Sequence, residues 1–509
     1  MQKINFSLLL LVLSLQFSIG QNIKGKIIDI NTKESIPYAN ILINKSESMI
    51  SNAEGYFTLS EKNSQDNTIL LVSYLGYANQ EIALNSLKNN DYTIALTPSI
   101  FELNDVNVSN KKPNAYEIMA NVKANLATNY KGDGSPSKDL LFYRNSEYFN
   151  PKEIEVEIDK SPGFSKQALV KVNSDLKNFA NSLIRNPPKE FTDILCNYYT
   201  ANITKDSKTS FLSKLDVLKA TKLKQEGSAV SSEELEKKAM NMMLQHLDST
   251  KFYRVKSGLF GSRDSISLRK DFNQKREQKK SKEIRNQLTA TKTNLNSFLI
   301  GNNFSQSEKY NFIKKPELYD YTYEGTTYTA ENEFAYILSF KPRKSKAKYV
   351  GKLYISENDY AVLRAEFILD EGEKLNSLNL KLLLGIKVAD NRSTGTIIYK
   401  KKSDSNGYYL QYATIERGQY FYLSRPLKFI ELTREDKDVL SLDIKVEGNS
   451  SSKIEFLNLS RSSFTTAEIQ KIKEQDFKYT TIKSYDPKIW KDYNAIEPLE
   501  EMKRFKAIN

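Results

Sequence analysis

Near the N-terminus, apolar and polar positions alternate in short runs. Ala39, Ile41 and Ile43 fall on one side of an extended segment, with Asn40 and Asn44 on the other. Phe57 and Leu59 alternate with Tyr56 and Thr58, and Tyr92–Leu96 repeats the pattern. A period of two over roughly four to eight residues predicts half-buried strands. Turn residues separate the runs. Gly55 closes Asn52-Ala-Glu-Gly where a positive φ is expected, Pro37 opens a strand, and Gly76 suits a bulge or a close backbone approach. About seven short strands and no helical period predict a Greek-key β-sandwich over residues 21–108.

The pattern then changes. Asn110–Lys112 reads as a linker, and Pro113 opens an amphipathic helix to about Tyr130, with Tyr116, Ile118, Met119, Val122 and Leu126 at helical spacing. Residues 109–137 are thus linker and helix. From Asp139 the strand signal returns, in Leu140–Tyr148 and Ile154–Ile158, followed by a helix over Asn173–Pro187 and a strand over Ile194–Tyr199. A capping box at Ser231–Glu234 and a run of Lys and Arg predict a helical basic insertion over about 205–300. From Tyr319 to Leu442 strand follows strand with short polar turns, an antiparallel meander. Gly351–Ser356 and Asp359–Phe367 form a hairpin within it. Residues 138–464 therefore read as one antiparallel β domain. Residues 465–509 read as a polar helical tail in which Trp490 is a packing anchor. The expected fold is mainly β with helical insertions: an N-terminal sandwich, then a larger antiparallel-sheet α+β domain.

Five blocks carry a family resemblance: Gly25–Asp29, Ile36–Asn40, Ser51–Phe57, Ser73–Tyr77 and Leu103–Val108. In this order they resemble the carboxypeptidase-like regulatory domain, a transthyretin-like sandwich of Gram-negative cell-envelope proteins. The resemblance covers less than a fifth of the chain. It implies a module that accompanies zinc carboxypeptidases and carries no catalytic residues itself. The hairpin over Gly351–Phe367 is similar in pattern to the repeated hairpins of periplasmic lipoprotein-carrier half-barrels. These resemblances imply an Ig/transthyretin-like sandwich and a half-barrel-like sheet.

Met1–Gly20 has the form of a signal peptide: Lys3, an apolar run over Phe6–Phe17, and small residues at Ser18-Ile-Gly20. The run is shorter than the roughly 20 residues of a membrane span. Gln21 follows the expected cleavage, so no lipid anchor is expected there. The mature chain is expected to be exported, in the periplasm or associated with the outer membrane.

Composition narrows the chemistry. The 509 residues carry a formal charge of +13. Export disfavours nucleic acid as a partner and favours an envelope protein or an anionic envelope surface, with peripheral membrane association. Arg263–Lys292 holds ten Lys or Arg against four acids; Lys270, Lys275, Arg276, Lys279, Lys280, Lys282 and Arg285 spread around the helix rather than along one stripe, which reads as a solvated, partly flexible helix, with an anion-binding arm as the alternative.

Cys196 is the single cysteine, which excludes an intramolecular disulfide and a cysteine-based zinc site. His246 is the single histidine, placed near a helix end, and cannot supply the usual pair of zinc ligands or, without a Gly-x-Ser-x-Gly elbow, a catalytic triad. Phosphate loops, dinucleotide fingerprints and EF-hand patterns are missing. The 62 acids supply many carboxylate pairs, none distinguished from the rest. No catalytic, cofactor-binding or metal-ligating residue is therefore assigned, and no cofactor is expected.

The sequence predicts a non-enzymatic exported cell-envelope protein with a docking sandwich and a β-rich scaffold or binding domain. The alternatives are a periplasmic carrier of an apolar or lipid ligand and a small outer-membrane β-barrel. An open apolar cavity lined by Leu353, Ile355 and Val362 would mark the carrier, and an outward apolar belt the barrel.

Overall fold

A computed structural model describes residues 22–101, 113–132, 134–160, 165–205, 207–224, 252–257, 260–267, 286–403, 407–432, 439–490, 492–493 and 495–506. The chain divides into two compact units.

The first unit takes residues up to 112 together with 325–336 and 485–505. Its strands are β1 (Ile23–Asp29), β2 (Asn40–Ile43), β3 (Glu47–Ile50), β4 (Tyr56–Leu59), β5 (Ile69–Ser73), β6 (Gln80–Ala83) and β7 (Thr93–Leu96). They form two sheets, β4-β1-β7 and β3-β2-β5-β6. The β1–β7 pair is parallel and the other pairs are antiparallel. The alternation read from the sequence is the burial pattern. Ile27, Ile41, Ile43, Phe57, Leu59, Leu70, Val72, Ile94 and Leu96 make one core. Gly55 sits at φ +78°, and the Asn52 carboxamide oxygen accepts from the backbone N–H of Glu54 (2.9 Å) and Tyr56 (2.9 Å).

Distant segments complete this unit. Thr327 Oγ1 accepts from Gly76 N–H (3.1 Å) and donates to Ser99 O (3.0 Å), Lys24 pairs with Glu500 (3.0 Å), and Trp490 is buried. The compact unit thus takes in more than the stretch 21–108 read from the sequence. Residues 325–336 and 485–505 are joined to the sandwich by contacts across hundreds of residues, which local pattern does not encode.

The second unit takes 113–324, 337–484 and 506–509. In chain order its elements are α1 (Ala115–Tyr130), β8 (Ser137–Lys160), α2 (Lys166–Arg185), β9 (Lys189–Lys205), β10 (Lys208–Lys224), β11 (Phe252–Ser257), β12 (Phe260–Ser267), α3 (Gln287–Gly301), β13 (Tyr319–Tyr328), β14 (Phe334–Pro342), β15 (Tyr349–Ser356), β16 (Val362–Leu369), β17 (Ser377–Leu380), β18 (Ile386–Lys401), β19 (Tyr408–Glu431), β20 (Val439–Ser463), α4 (Thr466–Lys471) and β21 (Thr480–Ile482). The turn joining β13 and β14 is counted with the first unit. One sheet runs β13-β14-β15-β16-β18-β19-β20-β8-β9-β10-β21, with β11, β12 and β17 paired beside it.

Several expectations change here. The helical insertion over 205–300 is replaced, among the described residues, by strands β10, β11 and β12, then the helix α3. β10 falls inside the stretch expected to be helical, and its residues form a lysine-bearing strand. The strand lies near the sheet edge, where Lys discourages further pairing. His246 and the basic residues Lys270–Arg285 lie outside the described residues. The tail is not mainly helical: α4, capped reciprocally by Thr465 and Glu468, is followed by β21, which adds in parallel to β10. Tyr116, assigned to the buried face of α1, is 47% exposed, because it stands in the first turn with its hydroxyl on Asp320 (3.2 Å).

The densest packing is aromatic. Phe312 is fully buried, stacked on Phe340 (4.6 Å between centroids) and set against Phe367 (5.4 Å) and Tyr349 (5.8 Å). Tyr130 at the end of α1 packs on Tyr399 (4.7 Å) and donates to Val362 O (2.9 Å). Tyr399 donates to Asn302 O (2.9 Å), and the Asn302 carboxamide donates to Phe298 O (2.7 Å), so Asn302 ties the end of α3 to the sheet. Each of these buried hydroxyls has an acceptor, as burial requires. Phe312→Ala is expected to destabilise the protein by about 3–5 kcal/mol, measured by denaturant unfolding. A loss below about 1 kcal/mol would mean that the cluster is not a core.

Candidate functional site

The site grows out of strand register. On β8, Asp139, Leu141 and Tyr143 alternate onto one face. Residues opposite one another across an antiparallel pair share a face. Asp139 stands opposite Tyr198 and Leu141 opposite Cys196 on β9, while Tyr143 stands opposite Phe456 and Leu141 opposite Asn458 on β20. Simple alternation along β20 would then put Arg461 on the other face. The register shifts between Asn458 and Ser460, where Leu459 is one residue too many, and Arg461 comes opposite Asp139. A one-residue bulge thus turns the guanidinium onto the face that carries Asp139.

α3 lies against this face, with the Phe298 ring 5.9 Å from Tyr143 and 5.7 Å from Phe456. Its Asn296, Leu299 and Ile300, at three- and four-residue spacing, face the strands. The helix is also fixed toward its N-terminal end: Lys292 pairs with Glu474 (2.9 Å), and Leu288 N–H donates to Asp476 (3.0 Å). Between helix and sheet lies a cleft of about 510 Å³, open on one side, which also takes Thr200, Asn202, Phe211, Gln306, Tyr409 and Leu410 into its lining.

One end of the cleft is a buried polar network. The Asp139 carboxylate accepts from Asn458 Nδ2 (2.9 Å), from Arg461 Nη1 (3.3 Å to each oxygen) and from Ser137 Oγ (3.3 Å). Ser137 Oγ is also 3.1 Å from Thr200 Oγ1. Arg461 lies over the Tyr409 ring at 5.3 Å. Tyr198 donates to the Asn296 carboxamide oxygen, joining sheet to helix. Burial raises the Asp139 carboxyl above its ordinary value; Arg461, Asn458 and Ser137 pull the other way without cancelling it. Burial likewise raises the Tyr198 hydroxyl and pushes the Cys196 thiol up to about 12, so Cys196 is an inert core residue. The walls beyond this end, Leu141, Leu299, Leu410 and Phe456, are apolar.

The arrangement suits an amphiphile, with an apolar part along the walls and a hydrogen-bonding head toward Arg461 and the carboxamides of Asn202, Asn296 and Gln306. Asp139 is the one carboxyl among the described lining residues; glycoside hydrolysis by paired carboxylates uses a second about 5–9.5 Å away. Among the described residues no three His, Cys, Asp or Glu side chains form a metal-binding group.

Leu353, Ile355 and Val362, whose lining of an open cavity would have marked a carrier, are fully buried in the sheet core and do not reach the cleft. The residues that do line it come from β8, β9, α3, β19 and β20, and no motif links them. A smaller hollow of about 90 Å³ in the sandwich surrounds Asp29. That carboxylate is occupied by Asn31 N–H (2.7 Å), Thr32 N–H (2.8 Å) and Tyr77 O–H (2.8 Å), which hold its pKa below the usual range and brace the turn after β1.

The raised Asp139 carboxyl makes stability depend on pH. The native state holds that proton more tightly than the unfolded chain, so stability is lost as pH rises from the ordinary value of 3.8 through the native one. Relative to Asp139→Asn, the wild-type protein is expected to lose thermal stability as pH rises above about 4. A gain over that interval would mean that ion pairing with Arg461 outweighs burial.

A search of curated proteins gave no match. Among solved structures the chain is similar to a DUF1329 family protein from Desulfovibrio piger ATCC 29098, at 11% identity and TM-score 0.17, over 70% of this chain and 96% of that one. It is also similar to a chain in the complex structure of Pseudomonas aeruginosa MucA/MucB, at 7% identity and TM-score 0.14, over 68% of this chain and 98% of that one. Likenesses at these scores carry no statement about function. Residues 23–108 match the family model described as the CarboxypepD_reg-like domain, the module that the N-terminal motifs resemble.

Proposed function

We propose that this is a non-enzymatic, exported protein of the cell envelope, whose large-sheet unit holds an amphiphilic small molecule while the N-terminal sandwich serves as a docking module. The observation that carries this reading is the cleft of about 510 Å³ whose apolar walls end at a buried polar network. Its size falls within the range of about 300–1,000 Å³ typical of small-molecule sites. The polar end is built before any ligand arrives. Asp139, Asn458 and Ser137 fix one edge of the Arg461 system, so a head group meets donors that are already oriented. A hydrocarbon chain against Leu141, Leu299, Leu410 and Phe456 gains by leaving water.

Export rests on the apolar N-terminal run of Met1–Gly20. No helix among the described residues is long and apolar enough to cross a membrane, which agrees with peripheral attachment and says nothing about strands. The family of the sandwich is known for accompanying other domains without catalytic residues, which supports a docking role toward an envelope protein.

The test is titration of the purified full-length mature chain with a dansyl-labelled fatty acid. Saturable binding at one site is expected, weakened about tenfold or more by Leu299→Arg, which places a charge on the apolar wall. Equal binding by Leu299→Arg, or no saturable binding, would refute the reading.

A further inference from the structure

β17 and β18 form a hairpin, with Leu380 paired to Ile386 at its closed end. Its turn reads Lys381-Leu-Leu-Leu-Gly385. Leu382 is fully exposed, Leu383 is 71% exposed, and Leu378 on the incoming strand is 51% exposed. Scattered single exposed leucines are ordinary, but consecutive ones at a convex tip are not. The turn is firmly built. Gly385 sits at φ +64°, its carbonyl accepts from Ser424 N–H (2.8 Å), and a Cβ there would meet Ser424 O at 1.9 Å. The leucines are thus held outward by a turn that only glycine closes.

Cations and phenol rings surround the apolar tip. Lys381 Nζ lies 4.0 Å from the Tyr422 ring centroid and Lys387 Nζ lies 5.4 Å from that of Tyr420. Lys374 is exposed on the approach to β17. Of the acids nearby, Glu373 is paired with Lys348, and Asp390 accepts from Asn376 (2.8 Å) and Gln419 (2.9 Å). Glu371 is exposed beside Lys374, and Glu447 stands by Tyr420 on the neighbouring strand.

We propose that this hairpin tip is a membrane-docking element: Leu382 and Leu383 insert into the apolar edge of an anionic lipid surface, Tyr420 and Tyr422 lie at head-group level, and Lys381 and Lys387 pair with lipid phosphates. Protruding leucines ringed by Lys and Tyr match the layered polarity of a bilayer surface, apolar inside and anionic at its boundary. A second copy of this chain would need a complementary apolar socket for a convex tip, whereas a fluid bilayer needs none. The proposal does not depend on the cleft.

The experiment is co-sedimentation of the purified full-length mature chain with vesicles of phosphatidylglycerol and phosphatidylcholine, compared with phosphatidylcholine alone. Binding is expected to favour the anionic vesicles and to fall about tenfold or more in the double variant Leu382→Asp, Leu383→Asp, by the area rule for a leucine kept in water. Melting temperature should be unchanged, because both side chains are already exposed. A second readout locates the contact. An environment-sensitive fluorophore attached through Leu382→Cys should shift to the blue on anionic vesicles, and one attached through Ser403→Cys, exposed beyond the opposite end of β18, should not; the buried Cys196 does not compete for label. Undiminished binding by the double variant, or a label at position 382 that stays in water on bound vesicles, would overturn the proposal. So would a dimer that the double variant dissociates while vesicle binding persists, since the tip would then be a contact between copies.

Discussion

Strand length is the constraint on which the second unit depends. β8, β19 and β20 run 24, 24 and 25 residues. At about 3.3 Å per residue each path approaches 80 Å. α3, at 15 residues and about 1.5 Å per residue, covers only about 22 Å of it. Apolar positions along such ladders exceed what one helix can cover, so different stretches are closed in different ways. Near α1 the aromatic cluster around Phe312 and Tyr130 fills the space. Near α2 a smaller cluster forms around Phe429 and Leu442. Beside α3 the closure is incomplete, and the gap is the cleft.

The polar end of that gap rests on an irregularity. If Leu459 were paired in regular register instead of bulged, Arg461 would come opposite Lys138 and leave the cleft face, and Asp139 would keep Asn458 and Ser137 but lose its cation. A buried carboxylate without its cation is costly. Bulge, ion pair and cleft are therefore one arrangement. The same logic holds at the β17–β18 tip, where Gly385 lets the chain pass against Ser424 and leaves the leucines outside.

The sandwich was legible because its signals are local. Ala39, Ile41 and Ile43 alternate, Gly55 turns, and Ile27 and Phe57 meet in the expected core. The hairpin over Gly351–Phe367 was legible for the same reason and appears as β15 paired with β16. Other elements were less legible. β8 read as two strands, Leu140–Tyr148 and Ile154–Ile158, yet it is one ladder in which Pro151 stands at a register shift opposite Gly448, where a missing donor is tolerated. β10 fell inside the stretch about 205–300 that was read as a helical insertion. The cleft was not legible, because Asp139, Tyr198, Asn296 and Arg461 become neighbours only through register, and the decisive bulge has no signature in the alternation.

On the proposed function, the gap beside α3 is a binding site rather than a packing defect. Native mass spectrometry of the mature chain, isolated without detergent from cells that make it, tests this most directly. The account predicts a single bound amphiphile per chain, absent when Leu299 is replaced by Arg. A bare polypeptide mass that acquires no adduct on incubation with envelope lipid extract would contradict it.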